Sequence, residues 1–231
     1  MNDQQPFTTQ SLECLYARVS APEGVTVGEL RAMVEDFGSR PRAQGDVQAY
    51  REGRQPWKKL RDEIVPVEQF LSSRYPDEAH VRFPLNDLPT DAWLTIDEGE
   101  PIGIEVTGAL SRAGIEIGRT LAEGVPVPGF IGLQDDAKQV EFEKAKARGR
   151  VTHSAKGVNE TIDRAVEARL AGKNKQKFEG QILLITVPIG SSPNRDETEM
   201  QAALGHKAAA LPFAEVHVLD RSRKGRMVQL K

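Results

Sequence analysis

Gly180 introduces the segment Gln181 to Pro188, whose run Leu183-Leu184-Ile185-Thr186-Val187 is the strongest buried-strand signal in the chain. A short apolar run of this kind needs cover on both faces. That is the habit of a strand inside a helix-flanked sheet, not of one with a wet side. The flanking pattern agrees. A long helix is expected over about Val158 to Phe178, with Asn159 as its cap, and residues 189–197 form a Gly/Ser/Pro/Asn loop. Residues 198–210 read as a helix, Ala214 to Leu219 as a strand and Met227 to Leu230 as a short final strand. A mixed α/β protein with a central mixed sheet flanked by helices is the class this order defines.

Upstream, residues 1 to about 20 are polar and weakly periodic. A short amphipathic helix is expected over Val25 to Phe37, with Leu30, Met33 and Val34 on one face and Gly38 as its stop. Residues 38–55 read as a loop. Trp57, Leu60, Ile64, Val67, Phe70 and Leu71 then recur at helical spacing, with Pro66 predicting a kink. Three short strands follow: His80 to Pro84, Asp91 to Ile96 and Ile102 to Val106. Asn86-Asp87 and Pro89 separate the first two, and the turn Asp97-Glu98-Gly99-Glu100-Pro101 folds the last two into an antiparallel hairpin. Beyond Leu110 a short helix leads into an irregular stretch with Pro126, Pro128, Gly129 and Gly132, and a helix is expected over Asp136 to Arg148. These readings divide the chain into an N-terminal helical and loop extension, residues 1–55, and an α/β domain, residues 56–231, with an insertion at about 110–157.

The 231 residues, 39% hydrophobic and 28% charged, suit one domain with elaborations. No run approaches the roughly 18 apolar residues of a membrane span. The opening MNDQQPFTTQ has neither a basic nor an apolar leader region, so a cytoplasmic protein is expected. Cys14 is the single cysteine, which excludes an intramolecular disulfide and a cysteine-based zinc cluster. The formal net charge of -3 makes no global case for a nucleic-acid partner, but its distribution is uneven. Lys138 to Lys177 holds eleven Lys or Arg against five Asp or Glu, a local +6 that leaves -9 on the remainder. Such a segment, with Lys144, Lys146, Arg148, Arg150 and Lys156, reads either as a polyanion-facing surface or as solvated helices laced with i,i+4 ion pairs.

Glu105 sits between Ile104 and Val106 in a segment that otherwise reads as buried sheet. A carboxylate there is paired, neutralised, or turned toward a cleft and a metal. Asp91 opens the preceding strand, after Pro89-Thr90, and the hairpin brings the start of that strand near the end of the next. Two carboxylates converging on one cation, with water and phosphate completing its shell, suit Mg²⁺ or Mn²⁺.

Thr90-Asp91-Ala92-Trp93-Leu94 followed by Ile104-Glu105-Val106-Thr107, after the helix at Leu60, resembles the PD-(D/E)xK nuclease superfamily, the restriction-endonuclease-like fold. The likeness covers roughly 57–110 and 158–220. It implies a metal-dependent endonuclease hydrolysing phosphodiester bonds, with Asp91 and Glu105 holding the ion, nucleic acid as the substrate (DNA ahead of RNA, the choice between them left open by the sequence) and a homodimer as the common assembly. One departure is plain: the family's lysine, two residues past the glutamate, is Thr107, which shares a strand face with Glu105 but carries no charge. Relatives sometimes supply that lysine from the following helix, where Lys173 and Lys177 fall along one flank with Ile162, Val166, Arg169 and Leu170. A glutamate on the first helix often extends the shell, and Glu63 fits that place better than Glu68. A nuclease-fold module that binds nucleic acid or a protein without catalysis is the alternative, and Thr107 favours it.

Each of these residues has a plainer reading. Asp91 also suits a turn, Glu105 an ion pair with an arginine, Thr107 an ordinary β-branched strand position, and Glu63, Lys173 and Lys177 solvated helix faces. The histidines His80, His153, His206 and His217 lack zinc-site spacing, and Ser191-Ser192 has no nucleophile-elbow context. Neither Gly103 to Gly108 nor Gly124, Gly129 and Gly132 form a phosphate-cradling pattern.

Overall fold

Thr26 and Glu29 set where the second helix begins: Glu29 N–H donates to Thr26 Oγ1 at 3.1 Å, and Thr26 N–H donates to Glu29 Oε2 at 2.8 Å. This reciprocal cap satisfies two amides that the helix itself cannot. In a computed structural model, which describes residues 5–86, 89–148, 152–221 and 226–231, the protein is α/β. It forms two compact units, Met1–Val106 and Thr107–Lys231.

The first unit contains α1 (Thr9–Ser20), β1 (Val25–Thr26), α2 (Val27–Ser39), α3 (Gln44–Glu52), a π-helical turn (Leu60–Ile64) continuing into α4 (Val65–Arg74), β2 (His80–Arg82), β3 (Ala92–Thr95) and the larger part of β4 (Ile102–Gly108). The four strands are antiparallel neighbours in sequence order. Their register sorts side chains by face, because directly opposed residues point the same way. Val25 pairs with Val81, Val81 with Leu94, Leu94 with Ile102 and Ala92 with Ile104, and all of these but Ile102 are buried. His80 with Thr95, Arg82 with Trp93 and Trp93 with Gly103 make up the other face. Leu12, Leu15 and Val19 of α1, Leu30, Val34 and Phe37 of α2, and Val67, Phe70 and Leu71 of α4 are buried with the apolar set. Gly24 must be glycine: its φ is +66°, and a Cβ there would lie 2.5 Å from the Val81 carbonyl oxygen.

Two helices in this unit differ from the sequence expectation. Residues 9–20 are helical, started by Thr8, whose hydroxyl accepts from Ser11 N–H. Within 38–55, α3 forms although it buries little more than Ala49 and Glu52, which leaves it almost no apolar period to read. The expected Gly38 stop is also overrun, since α2 continues to Ser39. At Pro66 the outcome is a widened turn. Proline has no amide to offer the Asp62 carbonyl, and Val65 N–H reaches back to Leu60.

The second unit holds the last two residues of β4, then α5 (Ser111–Ala122), α6 (Gln139–Ala147), α7 (Ala155–Lys173), β5 (Ile182–Val187), α8 (Glu197–Ala209), β6 (Glu215–Asp220) and β7 (Met227–Gln229). Strands β5 and β6 are parallel in unbroken register, and β7 returns antiparallel to β6. Leu183, Ile185 and Val187 join Ile162 and Val166 of α7 and Met200 and Leu204 of α8 in one core, while Leu184 is fully buried as well. The expected double-sided strand is present. Helix α7 starts earlier than expected, capped by Ser154 through Gly157 N–H, and ends at Lys173. Asn159 instead meets the Ser192 hydroxyl, and Asp163 takes a two-pronged ion pair from Arg195 at 2.6 and 2.9 Å. Together they pin the loop after β5 to α7. Helices α5 and α6 close on a small core of their own around Ala113, Ile131 and Phe142, with the Arg112 guanidinium 4.7 Å above the Phe142 ring. Among the described residues no helix is long and apolar enough to cross a membrane.

Candidate active site

The site assembles in the first unit, where the π-helical turn meets the open end of the β3–β4 hairpin. Tyr16 of α1 anchors that turn. Its hydroxyl donates to the Pro56 carbonyl at 2.6 Å and accepts from Leu60 N–H at 3.0 Å. Burial pushes this phenol up to about 12, so it is a fixed neutral strut. One turn on, Glu63 has only 18% of its side chain exposed. The cation it meets is Lys59, one turn earlier, whose Nζ lies 3.8 Å from Glu63 Oε1 and donates to the Asn86 carbonyl at 3.0 Å.

Burial pushes Glu63 up to about 7, and the negative charge of Asp91 pushes the same way, outweighing Lys59. Two carboxyls drawn together in a partly dry place raise one another's affinity for a proton, and equally for a cation. Asp91 is held on both sides of Glu105. Its amide donates to the Ile104 carbonyl at 3.0 Å, and its Oδ2 accepts from Val106 N–H at 2.7 Å. The paired ladder ends at Ala92 and Ile104, and Asp91 extends the contact beyond it through these two hydrogen bonds. Glu105 is 6% exposed. Asp91 thus grips the backbone on either side of Glu105, and Glu63 is coupled to Asp91 electrostatically. The structure adds a task for Asp91, which also closes the backbone gap at the end of β4. Among the described residues no group of three or more His, Cys, Asp or Glu is arranged to hold a metal ion.

The remaining expected residues belong to the second unit. Thr107 is half-buried on β4, two residues before Ala109, whose amide donates to the Thr186 carbonyl near the end of β5. Lys173 and Lys177 place their ammonium groups over the Phe178 ring, at 5.3 and 4.8 Å, before the opposite end of β5. Lys144 and Arg148 are exposed on and beside α6, and Lys156 is exposed 3.8 Å from Glu160. Lys146 is drawn inward, 2.9 Å from both Glu116 and Glu143. Its burial favours loss of the proton, but the two carboxylates outweigh this and hold it on. Lys146 thus ties α6 to α5 and is not a free cation for phosphate. Arg150 lies outside the described residues.

Sequence reasoning missed Lys59 and Tyr16. Lys59 had a readable signal, since it precedes Glu63 by four residues on one helical flank. Tyr16 had none, because its partners lie 40 and 44 residues away.

No family model, no curated protein and no solved structure matches this chain.

Proposed function

We propose that the chain is a Mg²⁺-dependent phosphodiesterase acting on nucleic acid, built on a restriction-endonuclease-like arrangement. The observation that carries this reading is the meeting of Glu63 with Asp91 while Asp91 grips both neighbours of Glu105. Asp91 and Glu105 would hold the ion, and Glu63 would extend its shell. The candidate donors Asp91 and Glu105 are both carboxylates, the oxygen chemistry that a hard cation takes, with water and phosphate to complete the shell. A bound ion would polarise the phosphodiester and acidify its water.

The chain's own groups supply the rest. In the metal-free protein Glu63, near 7, keeps its proton up to neutral pH, and it would give that proton up on taking its place beside the cation. Lys59, fixed by the Asn86 carbonyl, offers the positive charge that Thr107 lacks and would stabilise charge developing on phosphate. Lys59 takes that role here in preference to Lys173 or Lys177, because it lies 3.8 Å from Glu63, the carboxyl coupled to Asp91. Thr107 keeps the second reading in view, a nuclease-fold module that binds without cutting.

The test is cleavage of supercoiled plasmid, single-stranded DNA and RNA with Mg²⁺, Mn²⁺ or EDTA. Metal-dependent cleavage lost in Glu105→Gln supports the enzyme. Cleavage that persists in EDTA or survives Glu105→Gln rejects the assignment, and binding without cleavage selects the module.

A further inference from the structure

The sheet face opposite the first unit's apolar core carries an open groove of about 530 Å³, lined by His80, Arg82, Trp93, Thr95 and Glu100 among others. Arg82 and Trp93 are directly opposed across β2 and β3, and His80 is opposed to Thr95. Directly opposed side chains stand about 4.5–5.5 Å apart at Cβ. Trp93 is partly exposed, and its other cross-strand neighbour, Gly103, has no side chain to stack on the ring. Among the described residues the side chains of Arg82, Trp93, His80 and Glu100 make no hydrogen bond, ion pair or ring contact. A half-buried guanidinium without an anion, beside an indole without a stacking partner, is costly for a merely structural face.

We propose that this groove binds single-stranded nucleic acid, with a base stacked on Trp93 and the adjoining phosphate held by Arg82 and His80. Only an unpaired base exposes its face to an aromatic ring, so a duplex does not fit this mode. Trp93 also stands close to the candidate site along the sheet. Glu105 lies two residues beyond Gly103 and shares its face by alternation, a diagonal neighbour of Trp93 at roughly 7–8 Å between Cα atoms. Glu100 and Glu23 also line the groove, with Glu23 3.7 Å from Arg18. With carboxylates present, stacking and one or two phosphate contacts carry the binding, not a broad positive field. The choice of nucleic acid rests on the phosphodiesterase reading; the groove chemistry does not.

The chain has two tryptophans, and Trp57 is buried at 1% exposure, so ligand-induced fluorescence change reports on Trp93. The experiment titrates the full-length protein in EDTA with twelve-residue oligo(dT), oligo(rU) and a blunt duplex. Quenching by the single strands is expected. Trp93→Ala should weaken their binding, followed by anisotropy of labelled oligonucleotide, by roughly 5- to 150-fold, the range of one base–aromatic stack. Trp93→Phe should retain most of it, which separates stacking from misfolding. The slope of log affinity against log salt should be about -0.7 to -1.4, for one or two phosphates, and fall by about 0.7 in Arg82→Ala. No single-strand binding, binding indifferent to Trp93→Ala, or duplex binding of equal strength overturns the proposal. Because EDTA removes any divalent ion, these outcomes are independent of whether Glu105→Gln abolishes cleavage.

Discussion

Glu116 on α5 and Glu63 on the π-helical turn are both largely withdrawn from water, at 4% and 18% side-chain exposure. Their surroundings diverge. Glu116 meets Lys146 at 2.9 Å and Arg119 at 3.4 Å, so its charge is answered at hydrogen-bond distance. Glu63 has a lysine at 3.8 Å and a carboxylate, Asp91, working against it, and burial pushes it up to about 7. A buried carboxylate in direct ion pairs fastens two helices together. One that is crowded by its own kind is poised to bind a proton or a cation. The difference separates scaffold from candidate chemistry without reference to any relative.

The largest effect expected from breaking this contrast is at the fastening. Lys146→Met leaves Glu116 buried with a half-exposed arginine and the Gln139 amide, each at 3.4 Å, and urea unfolding should show a loss of about 3 kcal/mol. An unchanged midpoint would remove the distinction between the two glutamates. Next comes Lys59→Met, which takes away the cation beside Glu63. It should lower metal-dependent cleavage about 100-fold while Mn²⁺ binding, followed by calorimetry, changes far less. Equal losses in both would assign Lys59 to holding the site together.

Glu63→Gln comes third and carries a sign. The folded protein holds the Glu63 proton up to about pH 7, whereas an unfolded glutamate releases it near 4.5. The native state therefore binds more protons between these values, and the stability contributed by this group, full below about 4.5, is lost as pH rises through 7. The glutamine variant escapes that loss. Above pH 7 it should be more stable than the parent by about 2 kcal/mol, allowing for the part of Glu63 that water reaches, and the gap should close toward pH 4.5. A gap that widens on acidification would reverse the assignment. The smallest effect belongs to an ordinary cap: Thr26→Ala should cost about 1 kcal/mol by the same urea assay.

The hairpin of β3 and β4 was readable because Asp97 to Pro101 is a tight turn between two apolar runs. Glu105 stood out because it interrupts one of them. The β5 run was readable from its unbroken hydrophobicity. Helix α3 was not, since a helix that buries only Ala49 and Glu52 leaves no periodic stripe, and Gly53 in a left-handed conformation marks only its end. Helix α1 did have a stripe, in Leu12, Leu15 and Val19, but the polar residues around it hid the period. Lys146 looked like one more cation in a basic segment, and nothing local announced that Glu116, 30 residues earlier, would claim it.

By itself, the sequence determined the class of fold, the β3–β4 hairpin and the presence of a carboxylate inside an apolar strand. Periodicity and turn chemistry are local and survive without a partner. Only the tertiary structure decided that Asp91 would brace Val106, that Tyr16 would hold the turn bearing Glu63, and that Glu63 would be driven toward neutrality while Glu116 was not. Burial and charge depend on which segments meet, and those meetings span 15 to 44 residues of chain.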